Sequence, residues 1–211
     1  ALSGSAADLV LAVAGTVTTH TGTVTVTDAP SVAELKAINA ASTGAITLGT
    51  TNGALSGSAA DLVLAFAGTV TTHTGTVTIT DGPTLAQLIT INAATTGAIT
   101  LDDTNDAYSG SAADLVSAFA GTVTTHTGTV TITDAPSVAQ LKAINAATSG
   151  AITLDVTNGA LSGSTADLLL AFAGTVTTYT GTITISDSPS APELKTINAA
   201  TSGEIILGVA S

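Results

Sequence analysis

The chain writes one phrase four times. GTVTTHTGTVTVTD at Gly15–Asp28 returns as GTVTTHTGTVTITD at Gly68–Asp81 and at Gly121–Asp134, then as GTVTTYTGTITISD at Gly174–Asp187. The whole sequence keeps this period of 53 residues without insertion or deletion, giving copies at 1–53, 54–106, 107–159 and 160–211. A fixed period of this length restricts the fold to a solenoid, a propeller or an array of beads, ahead of any local motif. A propeller needs about four strands per blade, and each copy supplies two or three. Independent beads are disfavoured because the chain has 2% aromatic residues and no Trp or Met. A unit so poor in large apolar side chains is marginal alone. Its core must be thin, layered and built from Ala, Val, Leu and Ile.

Each copy has two halves of similar plan. The first opens on SGSAADLVLA, with Ser5 and Asp8 at capping-box spacing, repeated at Ser58/Asp61, Ser111/Asp114 and Ser164/Asp167. Leu9 and Val13, like Leu62 and Phe66, share one helical face. Gly15, Gly68, Gly121 and Gly174 stop the helix, so the pattern predicts a helix over 5–14. The alternating β-branched residues of TVTTHTG and TVTVTD predict strands. In the second of these, valines face one way and Thr23, Thr25 and Thr27 the other, and Asp28 with Pro30 ends it. The second half opens on PSVAELKAINAAST. Ser31/Glu34, Thr84/Gln87, Ser137/Gln140 and Ser190/Glu193 are again capping boxes, and Val32, Leu35 and Ile38 form an apolar helical stripe. Gly44 breaks that helix, AITL at Ala45–Leu48 predicts a strand, and Asn52-Gly53 is a tight-turn pair.

Neither helix is long enough to hold its shape alone, and neither strand buries both faces alone. Stacking identical copies removes both difficulties. The expected fold is therefore α/β, a repeat solenoid of parallel sheets and short helices, with the four copies forming one continuous solenoid. Its ends should expose unpaired strand edges and an uncovered apolar layer, and so dock onto further copies by non-closing contacts. Val24, Val26, Leu35, Ile38, Ile46 and Leu48, with their counterparts, are expected to carry this self-association.

Charge and cysteine content exclude several function classes. There are 15 acidic residues against 3 lysines, a formal net charge of −12, and no Cys. Nucleic-acid binding requires clustered Lys and Arg, and anionic lipid surfaces are disfavoured for the same reason. Thiolate catalysis, disulfides and Cys-based metal sites are ruled out. The longest apolar runs are far too short to span a bilayer.

The candidate sites each have a structural explanation beside a functional one. His20, His73 and His126 recur at the period, with Tyr179 in the fourth place. A stacked imidazole ladder could hold a transition metal, but Tyr179 favours a surface or turn position that tolerates any ring. Asp102, Asp103 and Asp106 form the densest acidic cluster and are weak calcium candidates. The equivalent loops lack them, which favours a solvated loop. Asp8 and Asp28 with their counterparts form two acidic columns attributable to helix capping and strand-ending turns. Asn39, Asn92, Asn145 and Asn198 fit a cap or an amide ladder. No GxSxG elbow accompanies the serines and histidines, so no catalytic residue is assigned and no cofactor is expected.

The phrases TVTVTDAPSVAELKAINAASTGAITL and LSGSAADLVLAFAG resemble the tandem repeats of very large, secreted, Thr/Ala/Gly-rich bacterial proteins, common in cyanobacteria and proteobacteria. The resemblance covers the whole chain. It implies a place at the cell surface or in the extracellular matrix, as adhesin, sheath or filament material, and carries no catalytic residues. The calcium-binding GGxGxD nonapeptides of some such proteins are absent here, so calcium is not carried over. The expected role is structural: a rod, fibre or surface layer formed by end-to-end self-association, with further copies or adjoining repeats of a longer chain as partners. The alternative is a binding module, for ice or as a surface adhesin, that uses threonine ranks on the sheet face.

Overall fold

Short apolar runs punctuated by glycine and capping residues yield short elements. The computed structural model describes residues 1–15 and 19–208. The chain divides into two compact units, Ala1–Asp103 with Ala120–Thr124 and Thr104–Phe119 with Thr125–Ser211. The first unit contains, in chain order, β1 (Leu2–Gly4), α1 (Ala6–Val13), β2 (Val24–Val26), α2 (Val32–Ala40), β3 (Ile46–Leu48), β4 (Leu55–Gly57), α3 (Ala59–Ala65), β5 (Val77–Ile79), α4 (Leu85–Ala94) and β6 (Ile99–Leu101). The second contains β7 (Tyr108–Gly110), α5 (Ala112–Ala118), β8 (Val130–Ile132), α6 (Val138–Ala147), β9 (Ile152–Leu154), β10 (Leu161–Gly163), α7 (Thr165–Ala171), β11 (Ile183–Ile185), α8 (Ala191–Ala200) and β12 (Ile205–Leu207).

Among the described residues there are four parallel three-stranded sheets, ordered β1-β2-β3, β4-β5-β6, β7-β8-β9 and β10-β11-β12. Within each sheet a helix connects each strand to the next, as parallel pairing requires. The register is the same throughout: Leu2 opposes Val24 and Val24 opposes Ile46, as Leu55 opposes Val77 and Val77 opposes Ile99. The inward residues of each strand make the core. Val24 and Val26 are buried between their sheet and the helices, with Leu9, Leu35 and Ile38 facing them. The middle residues, Ser3, Thr25 and Thr47, point outward and line up across the sheet. Fully burying such an aliphatic side chain contributes about 2 kcal/mol.

The expected helices and the strands at 24–26 and 46–48 are present, and the expected parallel pairing holds within each unit. Three details differ from the sequence reading. Leu2–Gly4, to which the sequence pattern assigns no element, is a strand, as are its counterparts; Leu55, Tyr108 and Leu161 belong to the core, while Leu2 is half-buried. In the second and third copies TVTTHTG is not a strand. Thr16–Thr18 lie outside the described residues, and in the second copy Val70 bridges back to Ile46 while His73 bridges forward to Thr95. Gly44 and Gly53 serve neither of the roles assigned to them. Positive φ among the described glycines occurs only at Gly15, Gly68, Gly121 and Gly174, so Asn52-Gly53 is not a left-handed turn pair. A Cβ on Gly44 would sit 1.9 Å from the Gly22 carbonyl oxygen. Glycine is needed there because backbone stacks directly on backbone.

Candidate functional site

Inside each unit, polar side chains cross the seam between successive copies. Matching residues build the seam that lies inside each of the two units. Within the first unit, α2 of the first copy lies against α3 of the second. Asn39, near the end of α2, donates from Nδ2 to the carbonyls of Ala65 at 3.0 Å and Ala67 at 2.6 Å. These are orphan acceptors at the C-terminus of α3, so Asn39 caps a helix that is not its own. Lys36 forms an ion pair with Asp61 in the first turn of α3. The hydrogen bond and charge of Lys36 hold the Asp61 carboxyl below its ordinary range. Ile46 bridges Val70 from beneath.

The second unit repeats this seam between α6 and α7. Asn145 donates to Ala171 O at 2.9 Å and Ala173 O at 2.7 Å. Lys142 reaches Asp167 at 2.5 Å, and this hydrogen bond, helped by one from Ser164, lowers the Asp167 pKa. Ile152 bridges Val176.

Within a copy, a second cap crosses between coils. The Ser5 hydroxyl accepts from the Asp8 N–H, but the reciprocal half of the expected capping box is not made. The Ala6 N–H instead donates to Asp28 Oδ1 at 2.7 Å. Asp81, Asp134 and Asp187 accept from Ala59, Ala112 and Thr165 in the same way. The Asp28 column therefore neutralises the positive end of the first helix, beyond the strand-ending turn expected of it. The hydroxyl and N–H of Thr165 depress the Asp187 pKa. In the second half, complete capping boxes form at Ser31, Thr84 and Ser137.

The ring column is a core feature, which corrects the surface or turn reading. His73, His126 and Tyr179 are buried, and only His20 is half-exposed. Each buried ring sits beside the aromatic residue that ends the preceding helix, with centroids 5.9 Å apart for Phe66 and His73, and 5.7 Å for Phe119 and His126. His73 Nε2–H donates to Gly53 O at 2.7 Å, and burial lowers its pKa below 6.5. Among the described residues no three His, Asp or Glu side chains converge as a metal site would require. Asp102 and Asp103 belong to the first unit and Asp106 to the second.

The six proposed self-association residues divide into two groups. Val24, Val26, Leu35, Ile38, Ile46 and Leu48 are all interior in the first copy, at most 4% exposed. In the last copy the counterparts of Val24, Val26 and Ile38 remain buried, as Ile183, Ile185 and Ile197. The counterparts of Leu35, Ile46 and Leu48 open outward: Leu194 and Ile205 are half-buried and Leu207 is 50% exposed. With Ala191, Lys195 and Asn198 they line an open groove. Asn198 was read from the sequence as a cap or amide-ladder residue, whereas Lys195 was missed, although a signal existed. Lys36 and Lys142, two of the three cations, each stand 25 residues before an aspartate.

Comparison with family models, curated proteins and solved structures finds no match to this chain. Among the described residues, no helix is long and apolar enough to cross a membrane.

Proposed function

We propose that this chain is structural material: an α/β solenoid of 53-residue copies that self-associates end to end into a rod, fibre or surface layer outside a bacterial cell. The observation that carries this is the seam. Residues of one copy cap, pair with and cover the helix of the next, as Asn39 and Lys36 do for α3. A copy whose polar groups and apolar face are completed only by a neighbour behaves as a repeat unit, with stability set largely by nearest-neighbour interfaces. The exterior location rests on the resemblance to large secreted repeat proteins. No catalytic or cofactor role forms part of the proposal. Electron microscopy of the purified protein at rising concentration should show filaments or sheets. Monodisperse particles at every concentration would contradict it.

The outward hydroxyl column of each sheet, Ser3-Thr25-Thr47 in the first, keeps a second reading in view, that of an ice-binding or adhesin surface. Each three-residue strand contributes one outward hydroxyl rather than a Thr-x-Thr pair, except β12, where Ile206 stands in that place. A thermal-hysteresis measurement separates the two readings, and activity well above that of an ordinary solute would favour the second.

A further inference from the structure

The groove on α8 and β12 has a specific occupant written into the rest of the chain. Its lining residues Ala191, Leu194, Lys195, Asn198, Ile205 and Leu207 occupy the places of Val32, Leu35, Lys36, Asn39, Ile46 and Leu48, which the second copy covers in the first unit. The segment that does the covering there begins Leu55–Ala65, LSGSAADLVLA. Leu2–Ala12 is the same eleven-residue string. In the second copy Ala65 and Leu62 are fully buried, whereas Ala12 on α1 is exposed. Leu64 lies beside Lys36 and Asn39 and is 51% exposed, while its counterpart Leu11 is 74% exposed.

Resting on the self-association reading above, we infer that the groove is the seat for α1 of a second copy of this chain. The seam contacts fix the register. Lys36 meets an aspartate 25 residues on, and Asn39 meets carbonyls 26 and 28 residues on. Carried onto the next molecule, the same offsets bring Lys195 to Asp8, and Asn198 Nδ2 to the carbonyls of Ala12 and Ala14. Among the described residues neither Lys195 nor the Asn198 amide has a partner, and the Asp8 carboxylate has none. Cation meets anion, donor meets orphan acceptor, and Leu194 meets the small Ala12. The contact is heterologous: its two sides are different surfaces, so it propagates rather than closes in a pair.

The test uses the full chain and sedimentation velocity at low salt across a concentration series. Wild type should grow in mass beyond a dimer. Lys195→Glu and Asp8→Lys should each weaken association by about tenfold or more, because each places like charges opposite one another. An equimolar mixture of the two variants should restore assembly, since every junction then joins opposite charges. Leu194→Asp should abolish it by placing a carboxylate in the seat. Circular dichroism checks that each variant is folded, and the rescue by mixing cannot arise from misfolded protein. Wild type that associates with both charge variants unaffected would overturn this seat while leaving self-association intact. Wild type that stays monomeric throughout would overturn both.

Discussion

Helices α1 and α3 begin with the same residues and stand in different surroundings. Ala65 on α3 is covered by the preceding copy and Asn39 caps its carbonyls. Ala12 on α1 is exposed, and no side chain among the described residues caps the corresponding carbonyls. The sequence is the same through Ala12 and Ala65 and departs only at Val13 and Phe66, so it does not account for the open side of α1. The difference resides in whether a neighbour is present. Burial in this chain is thus a property of the seam, and a substitution at one repeat position should have different costs in the interior and at an open face.

The most severe way to break the interior of a copy is to add an atom where two backbones touch. A Cβ on Gly97 would lie 1.7 Å from the Gly75 carbonyl oxygen. Gly97→Ala should cost at least about 3 kcal/mol or prevent folding, since each glycine lies two residues before a strand and neither backbone can retreat without shifting that strand. Gly15→Ala meets open space and carries only the left-handed penalty of φ 84°, about 1–2 kcal/mol. Urea unfolding of the two variants measures the gap. Equal losses would mean that backbone stacking is not what fixes these glycines.

Leu35 and Leu194 set the same side chain in the two environments. Leu35→Ala should cost about 3 kcal/mol, because Leu35 is fully buried and the site has little room to collapse. Leu194→Ala should cost roughly 1 kcal/mol in dilute solution, because Leu194 is only half-buried. The second figure should rise towards the first at concentrations where the molecules associate. Chemical denaturation at two protein concentrations reads both values.

The polar half of the seam follows the same logic with smaller numbers. Asn39→Ala leaves the Ala65 and Ala67 carbonyls without their donor and should cost about 1 kcal/mol. Asn198→Ala should stay within about 0.5 kcal/mol, as an exposed residue away from any partner does. Hydrogen exchange of the α3 amides gives an independent measure, with faster exchange expected in Asn39→Ala alone.

Much of this was legible in the sequence because the period is written in full. Capping residues, helical stripes and the Val-Thr-Val strand announce themselves through local chemistry, and all appear where expected. What escaped was whatever depends on a partner 20 to 28 residues away. LSG carries one core residue and too little alternation to read as a strand. Asp28 resembles a turn residue until Ala6 is placed beside it, and Gly44 resembles a helix breaker until Gly22 stacks on it. His73 looked like a surface ring because threonines surround it in sequence, whereas Phe66 and the Gly53 carbonyl surround it in space.

The mildest test concerns that ring, comparing the second copy with the fourth. His73 is buried against Phe66, the Thr95 hydroxyl and the Gly53 carbonyl, and burial holds its pKa below the ordinary 6.5. An unfolded chain therefore binds a proton near that pH which the folded chain refuses. The stability His73 contributes is complete above about 6.5 and is lost as the pH falls below it. Tyr179 fills the same place in the fourth copy, fully buried beside Phe172, and has no proton to gain in this range. His73→Tyr should leave the melting temperature at pH 7.5 nearly unchanged. It should also reduce the drop between pH 7.5 and pH 5.5 relative to wild type. If both proteins lose stability equally on acidification, the titrating group lies elsewhere and His73 is only a ring that fills space.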